Sequence, residues 1–327
     1  MVDAAVIKLD KRDMKLIALL RQDSRTPISL IAKQLSVNRD TVKYRMQRLE
    51  RARIIRRYYA EIDRSVFGYL ICYVFLLIDE KNRRKHEGLI RELTKHPNTE
   101  AIREYNGNWD VKWTLIARHV EELDDIIMRL SMAYKGVIVE KDTLIVVRWS
   151  KASKWAGQEQ PPDTDETDLT ILRILADDAR TSAAAIGTQA GLSADAVIKR
   201  IKRLTQQQVI RRFTINADPE RMGKQWFTFV LQMKQFDETH QHRLKEFIRL
   251  RPDIIRCYKT IGTWDIVMTG ITDDAAAFHL LFKDIKTTFS DIIRNYDAYP
   301  GYRERFITSF PRVIWEKEEK KATSSRR

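Results

Sequence analysis

Cysteine is almost missing from this chain: Cys72 and Cys257 are the only two among 327 residues. They are far apart, make no metal-ligand spacing, and each stands in an apolar stretch. A disulfide scaffold and a zinc cluster are thereby excluded, and buried thiols in a reducing compartment are expected. Histidine is also sparse. His86, His96, His119, His240, His242 and His279 form no matched pair, and His240 and His242 fall on different faces of any helix. No apolar run approaches a membrane span; the most apolar stretch, Tyr69 to Ile78, has the length of a strand. The opening residues, MVDAAVIKLDKRD, lack the basic region and apolar core of a signal peptide, so a cytoplasmic chain with no membrane partner is expected. No Walker loop, zinc spacing or nucleophile elbow occurs. The expectation is a chain with no catalytic residue, no cofactor and no metal, and therefore not an enzyme.

What is present is positive charge. Lys and Arg number 59 against 45 Asp and Glu, a net charge of +14. That excess points to an anionic partner: nucleic acid, a membrane surface or an acidic protein. With 43% hydrophobic residues the chain has enough apolar material for globular cores.

The chain repeats itself. At a fixed offset of 155 residues, Asp10 and Asp13 meet Asp165 and Asp168. Val42, Arg45, Arg48 and Leu49 meet Val197, Arg200, Arg203 and Leu204, and Ile55-Arg56-Arg57 meets Ile210-Arg211-Arg212. Far downstream, Gly107-Asn108-Trp109-Asp110 still meets Gly262-Thr263-Trp264-Asp265. Two copies are too few for a solenoid, so the chain reads as a duplicated two-domain unit. The boundaries follow: residues 1–65 and 66–150 for copy one, a polar Pro- and Gly-bearing linker over 151–163, then 164–220 and 221–315 for copy two. A charged tail fills 316–327.

Each copy begins with three helices. Leu16, Ile17 and Leu20 give a helical apolar stripe after Asp10, a candidate N-cap. Ile28, Ile31, Ala32 and Leu35 follow Pro27, and Ser36-Val37-Asn38 is a tight turn before a third helix. That helix is apolar at Val42, Met46 and Leu49, and basic at Arg39, Lys43, Arg45 and Arg48. Two short helices joined by a tight turn, the second basic outside and apolar inside, make a helix-turn-helix. The partner this implies is double-stranded DNA. Asn38, Arg39 and Lys43 are the candidate base readers in copy one. Arg45 and Arg48 are candidates for phosphate contact or helix-end charge. In copy two the candidates are Ser193, Lys199, Arg200, Lys202 and Arg203. The two heads differ: residues 10–60 hold 14 basic and 5 acidic side chains, net +9, whereas residues 165–215 hold 8 and 6, net +2. The helix starts differ too, Asn38-Arg39-Asp40-Thr41 against Ser193-Ala194-Asp195-Ala196, so two heads acting as an intramolecular pseudo-dimer should prefer an asymmetric operator.

Downstream of Gly68 the pattern becomes strand, helix, strand, hairpin, strand, helix, strand, a βαββαβ ferredoxin-like order, and copy two repeats it after Gly223. The sheet leaves one face uncovered, which pairing of the two copies would bury. The class is α+β.

These residues resemble the Lrp/AsnC family of regulators. The resemblance rests on the helix-turn-helix ending in Ile55-Arg56-Arg57-Tyr58, then Asp63, Gly68, and a βαββαβ domain with Gly-x-x-Asp at its central hairpin. It covers nearly the whole chain twice, as in archaeal double-copy members. It implies winged-helix-like heads, a so-called RAM domain in each copy, sequence-specific DNA binding and self-association through the RAM domains. It also implies control by an amino acid or other small-molecule effector, bound near Gly107 and Asp110 and near Gly262 and Asp265. Members with amino-acid effectors commonly carry Thr or Ser before that glycine; here Asn106 and Ile261 stand there, and Trp109 and Trp264 add bulk. The alternative is an enzyme like the sirohaem decarboxylases of haem biosynthesis, which share the architecture and carry a Tyr-Asn-Leu-Trp-like run. Tyr105-Asn106-Gly107-Asn108-Trp109 echoes it faintly. A pure metabolite sensor, whose heads contact protein, is the third class.

Overall fold

In the computed structural model, residues 8–79, 81, 83–147 and 164–316 are described. The expected linker, and the expected tail beyond Glu316, lie outside them. Copy one runs α1 (Lys11–Gln22), α2 (Ile28–Leu35), α3 (Arg39–Arg51), β1 (Ile55–Ile62), β2 (Leu70–Ile78), α4 (Arg83–Lys95), β3 (Thr99–Tyr105), β4 (Val111–Ala117), α5 (Val120–Ala133) and β5 (Ile138–Val147). Copy two repeats the order as α6 (Glu166–Asp177), α7 (Ala183–Ala190), α8 (Ala194–Gln206), β6 (Ile210–Ala217), β7 (Gln225–Met233), α9 (Glu238–Arg249), β8 (Ile254–Ile261), β9 (Ile266–Thr272), α10 (Ala275–Thr288) and β10 (Ile293–Phe306).

The copies do not form the two compact units; like parts of each do. One unit gathers the described residues up to Gly68, those from 164 to Met222, and those from Thr308 on. The other gathers Tyr69 onward and Gly223–Ile307. The boundary expected at 315 therefore shifts: residues 308–316 belong to the head unit, where Ser309 Oγ donates to the Ala60 carbonyl at 2.5 Å and Phe310 packs on Phe67.

In the head unit, α1 and α6 each start at an aspartate whose carboxylate accepts the backbone N–H three residues on, and Asp13 and Asp168 return the bond to the cap. Both ends of this reciprocal bond satisfy donors that a helix start would otherwise leave open. The turn from α2 to α3 passes through Ser36 at φ 52 and ends at Asn38, whose Oδ1 caps Thr41 N–H at 2.7 Å. Leu16, Leu20, Ile31, Val42 and Leu49 are fully buried, each contributing on the order of 2 kcal/mol. Ile215 and Ala217 of β6 complete this core. That is possible because β1 and β6 form a two-stranded antiparallel sheet, pairing Ile55 with Ala217 and Tyr59 with Thr214. Each head thus lends its strand to the other.

In the sheet unit, copy one orders its strands β3-β4-β2-β5 and copy two β8-β9-β7-β10. β5 pairs with β8 and β10 with β3, closing eight strands into a barrel. Closure removes every sheet edge. Leu89, Leu93, Leu123 and Leu130 of α4 and α5 cover one outer face over Trp113, and Leu244, Leu281 and Ile285 of α9 and α10 cover the other over Phe229. The inner faces meet through Tyr73, Phe75, Tyr105, Trp109, Trp226, Trp264 and Tyr299. The face each sheet leaves open is thus covered by the other copy within one chain.

Candidate nucleic-acid interface

The basic residues of α3 divide into two sets. Arg45 Nη1 lies 2.8 Å from Asp10 Oδ2 and 2.7 Å from Asp13 Oδ1, and Arg48 also pairs with Asp13, which is fully buried. Copy two repeats the clamp. Arg200 Nη1 is 2.7 Å from Asp165 and 2.9 Å from Asp168, and Arg203 pairs with Asp168. The Asp13 backbone N–H, and then Arg45, hold the Asp10 carboxyl down at about 2. These four arginines therefore pin the third helix of each head to the start of its first. Arg45, Arg48, Arg200 and Arg203, expected for phosphate contact or helix-end charge, thus carry a positioning role through carboxylates inside the head.

The other set faces water. Arg39, Lys43, Tyr44, Gln47 and Arg51 are exposed on α3. Lys43 Nζ approaches Asp40, which is still more exposed, at 3.4 Å. On α8 the exposed set is Asp195, Ile198, Lys199, Lys202 and Gln206. Asn38, expected for capping and base contact, and Ser193, a DNA-binding candidate, both cap with their side-chain oxygens; Ser193 Oγ accepts Ala196 N–H at 3.2 Å. Tyr44 and Gln47 escaped the sequence reading, whereas Ile198 stands out there already, as the counterpart of Lys43. Gln47 lies four residues from Lys43 on the same face, and Tyr44 directly follows Lys43; that face was read only for charge.

The two heads are held together by reciprocal ties. Arg25 Nη1 donates to the Ala179 carbonyl at 2.8 Å, and Arg180 Nη1 to the Ser24 carbonyl at 2.9 Å. Arg25 lies over the Phe213 ring and Arg180 over Tyr58. Arg56 pairs with Asp218, and Arg211 with Asp63 at 2.6 Å. Every such bond has its twin at the repeat offset, so the two heads form a pseudo-twofold pair inside one chain.

The expected effector residues sit at the two barrel hairpins. Asp110 Oδ2 accepts the Ile78 N–H at 2.6 Å, and Asp265 Oδ2 accepts the Met233 N–H at 2.7 Å. Both carboxylates therefore tie a hairpin to its neighbouring strand. Gly107 and Gly262 both have positive φ, 157 and 140. Their surroundings differ: a Cβ at Gly262 would stand 2.6 Å from Leu144 Cδ2 and 2.8 Å from the Thr143 carbonyl, whereas one at Gly107 meets only Tyr299, at 3.7 Å. Between the sheets, Arg103 pairs with Glu304, which also faces Arg256 at 3.4 Å, and the buried Lys112 Nζ stands 4.6 Å over the Tyr73 ring. Among the described residues there is no group of three or more His, Cys, Asp or Glu placed to hold a metal, and no helix is long and apolar enough to cross a membrane.

Fold and site define the class: a protein with two helix-turn-helix heads and a RAM-type barrel. The family model of the AsnC-type helix-turn-helix domain matches residues 9–50 and again 165–205. The HTH-type transcriptional regulator Ptr1 of Methanocaldococcus jannaschii is 34% identical over 113 residues, 34% of this chain and 73% of that protein. The Bkd operon transcriptional regulator of Pseudomonas aeruginosa is 28% identical over 126 residues, 38% of this chain and 82% of that one. The chain belongs to the Lrp/AsnC family. Among solved structures, the siroheme decarboxylase NirDL aligns over 96% of this chain and 100% of its own, with a TM-score of 0.63 and 15% identity. That match overturns the expectation of a non-enzyme: the full-length architecture of this chain is also that of a decarboxylase.

Proposed function

We propose that the chain is a sequence-specific DNA-binding transcription regulator whose two unlike heads act as an intramolecular pseudo-dimer. One observation carries the reading. The β1–β6 exchange and its paired arginine ties hold α3 and α8 in a single unit, and each helix turns a different set of side chains to water. Arg39, Lys43, Arg51, Lys199 and Lys202 are the cations left facing outward, suited to base edges and phosphates. Footprinting of the full chain at low ionic strength tests this. Substituting Arg39 and Lys43 with alanine removes protection over one half-site, and substituting Lys199 and Lys202 removes it over the other. Unchanged footprints for both variants refute the reading.

A small-molecule effector, of amino-acid class, is the finer part of the reading. The hairpin at Gly107 and Asp110 is its favoured place, since the glycine there has the open neighbourhood that Gly262 lacks. Calorimetric titration with single amino acids checks it: one should bind the parent chain and fail with Gly107→Val, and no heat from any of them removes the effector. A second reading, an enzyme acting on siroheme, is favoured by the full-length likeness to NirDL. Its check is an absorbance change on mixing the chain with siroheme.

A further inference from the structure

The duplication lets each head be compared with the other, position by position. In the first half of α3 the exposed residues are Arg39, Asp40, Lys43 and Tyr44; at the same repeat positions α8 has Ala194, Asp195, Ile198 and Lys199. Val197 enters the core, fully buried, while its neighbour Ile198 is left 55% exposed. The half-buried Ala194 lies one turn before Ile198, so the two make a continuous apolar ridge along the outer face of α8. Lys199 and Lys202 flank that ridge, exposed and without an ion pair among the described residues. An apolar ridge bracketed by cations suits an apolar edge set between phosphates.

In the major groove only thymine carries such an edge, its 5-methyl group. Guanine presents two acceptors there and needs a donor fork, which Ala194 and Ile198 lack. On α3 the matching positions hold Arg39 and Lys43, both donors suited to guanine.

We propose that Ile198 is a specificity-determining residue: it makes the second head select thymine through the 5-methyl group, at the half-site position where the first head, through Lys43, selects guanine. The inference rests on the DNA-reading function proposed above and adds which base each head chooses.

The test uses the full chain and the duplex it enriches from random sequence. Each thymine is replaced in turn by deoxyuridine, which removes only the methyl group, and affinity is read by fluorescence anisotropy. One or two replacements in the second head's half-site should weaken binding about four-fold, the effect of one methyl withdrawn from an apolar contact. The penalty should vanish in Ile198→Ala, and Ile198→Lys should move the enriched base at that position to guanine. Thermal melting of Ile198→Ala should match the parent, because the side chain packs little. Deoxyuridine tolerated throughout that half-site, or an unchanged penalty in Ile198→Ala, overturns the inference while leaving DNA binding intact. A chain that enriches no duplex overturns both.

Discussion

Asp13 is a fully buried carboxylate satisfied by two arginines and one backbone N–H. Removing one partner of such a pair leaves the others uncompensated, so Asp13→Ala should destabilise the head unit by about 3 kcal/mol in chemical denaturation. Arg39→Ala, by contrast, should leave the melting curve in place and weaken DNA binding. An Asp13→Ala chain as stable as its parent would remove the clamp from the account. Lys112 gives a pH prediction. Burial pushes its amine well below the usual lysine range, and the neighbouring Arg103 and Arg256 push the same way. The folded chain thus holds it neutral where the unfolded chain protonates it. Stability should rise with pH between the lowered folded value and the ordinary one near 10.5, by up to about 1.4 kcal/mol per pH unit. Lys112→Met abolishes that rise, so denaturation profiles of parent and variant should converge as the pH climbs toward 10.5. Parallel profiles would contradict a neutral buried amine.

At the level of elements, the two hairpins look alike in sequence and differ in packing. Gly262→Ala drives a methyl group into Leu144 and the Thr143 carbonyl at a positive φ, and should cost about 2 kcal/mol more than Gly107→Ala in thermal or urea melts. Equal costs would mean that the second hairpin relaxes freely. The reading helices differ likewise. α3 presents Arg39, Lys43 and Arg51 outward, and removing any one cation that neutralises a phosphate should lower the salt slope of binding by about 0.9. Measuring that slope for Arg51→Ala checks it, and an unchanged slope takes Arg51 off the DNA backbone. The helices themselves were legible in the sequence, because caps at Asp10, Asn38, Asp165 and Ser193 and a regular apolar stripe are local signals. The division of the arginines was less so, since a clamped and a free cation look the same in a basic stripe. The hint lay in Asp10 and Asp13 recurring with Arg45 and Arg48 at the repeat offset.

For the molecule as a whole, the 155-residue offset revealed two copies and their order, and the βαββαβ pattern revealed the class of the sheets. It did not reveal that the heads exchange strands. Ile55–Ile62 and Ile210–Ala217 are short and half polar, and their partners lie a whole copy away. Nor did it show that residues 308–316 return to the heads, for that docking is made by single contacts such as Ser309 to Ala60. Lys112 sits among the alternating residues of β4, where a lysine looks like the wet side of a sheet; closing the barrel buries it. The central claim is that one chain carries two fixed, unlike reading helices. Selection of bound sites from random duplex DNA by the full chain tests it most directly. The selected duplexes should hold two different half-sites at one constant spacing, near a helical turn or a multiple of it. A perfect palindrome, or a lone half-site with no fixed companion, would contradict it.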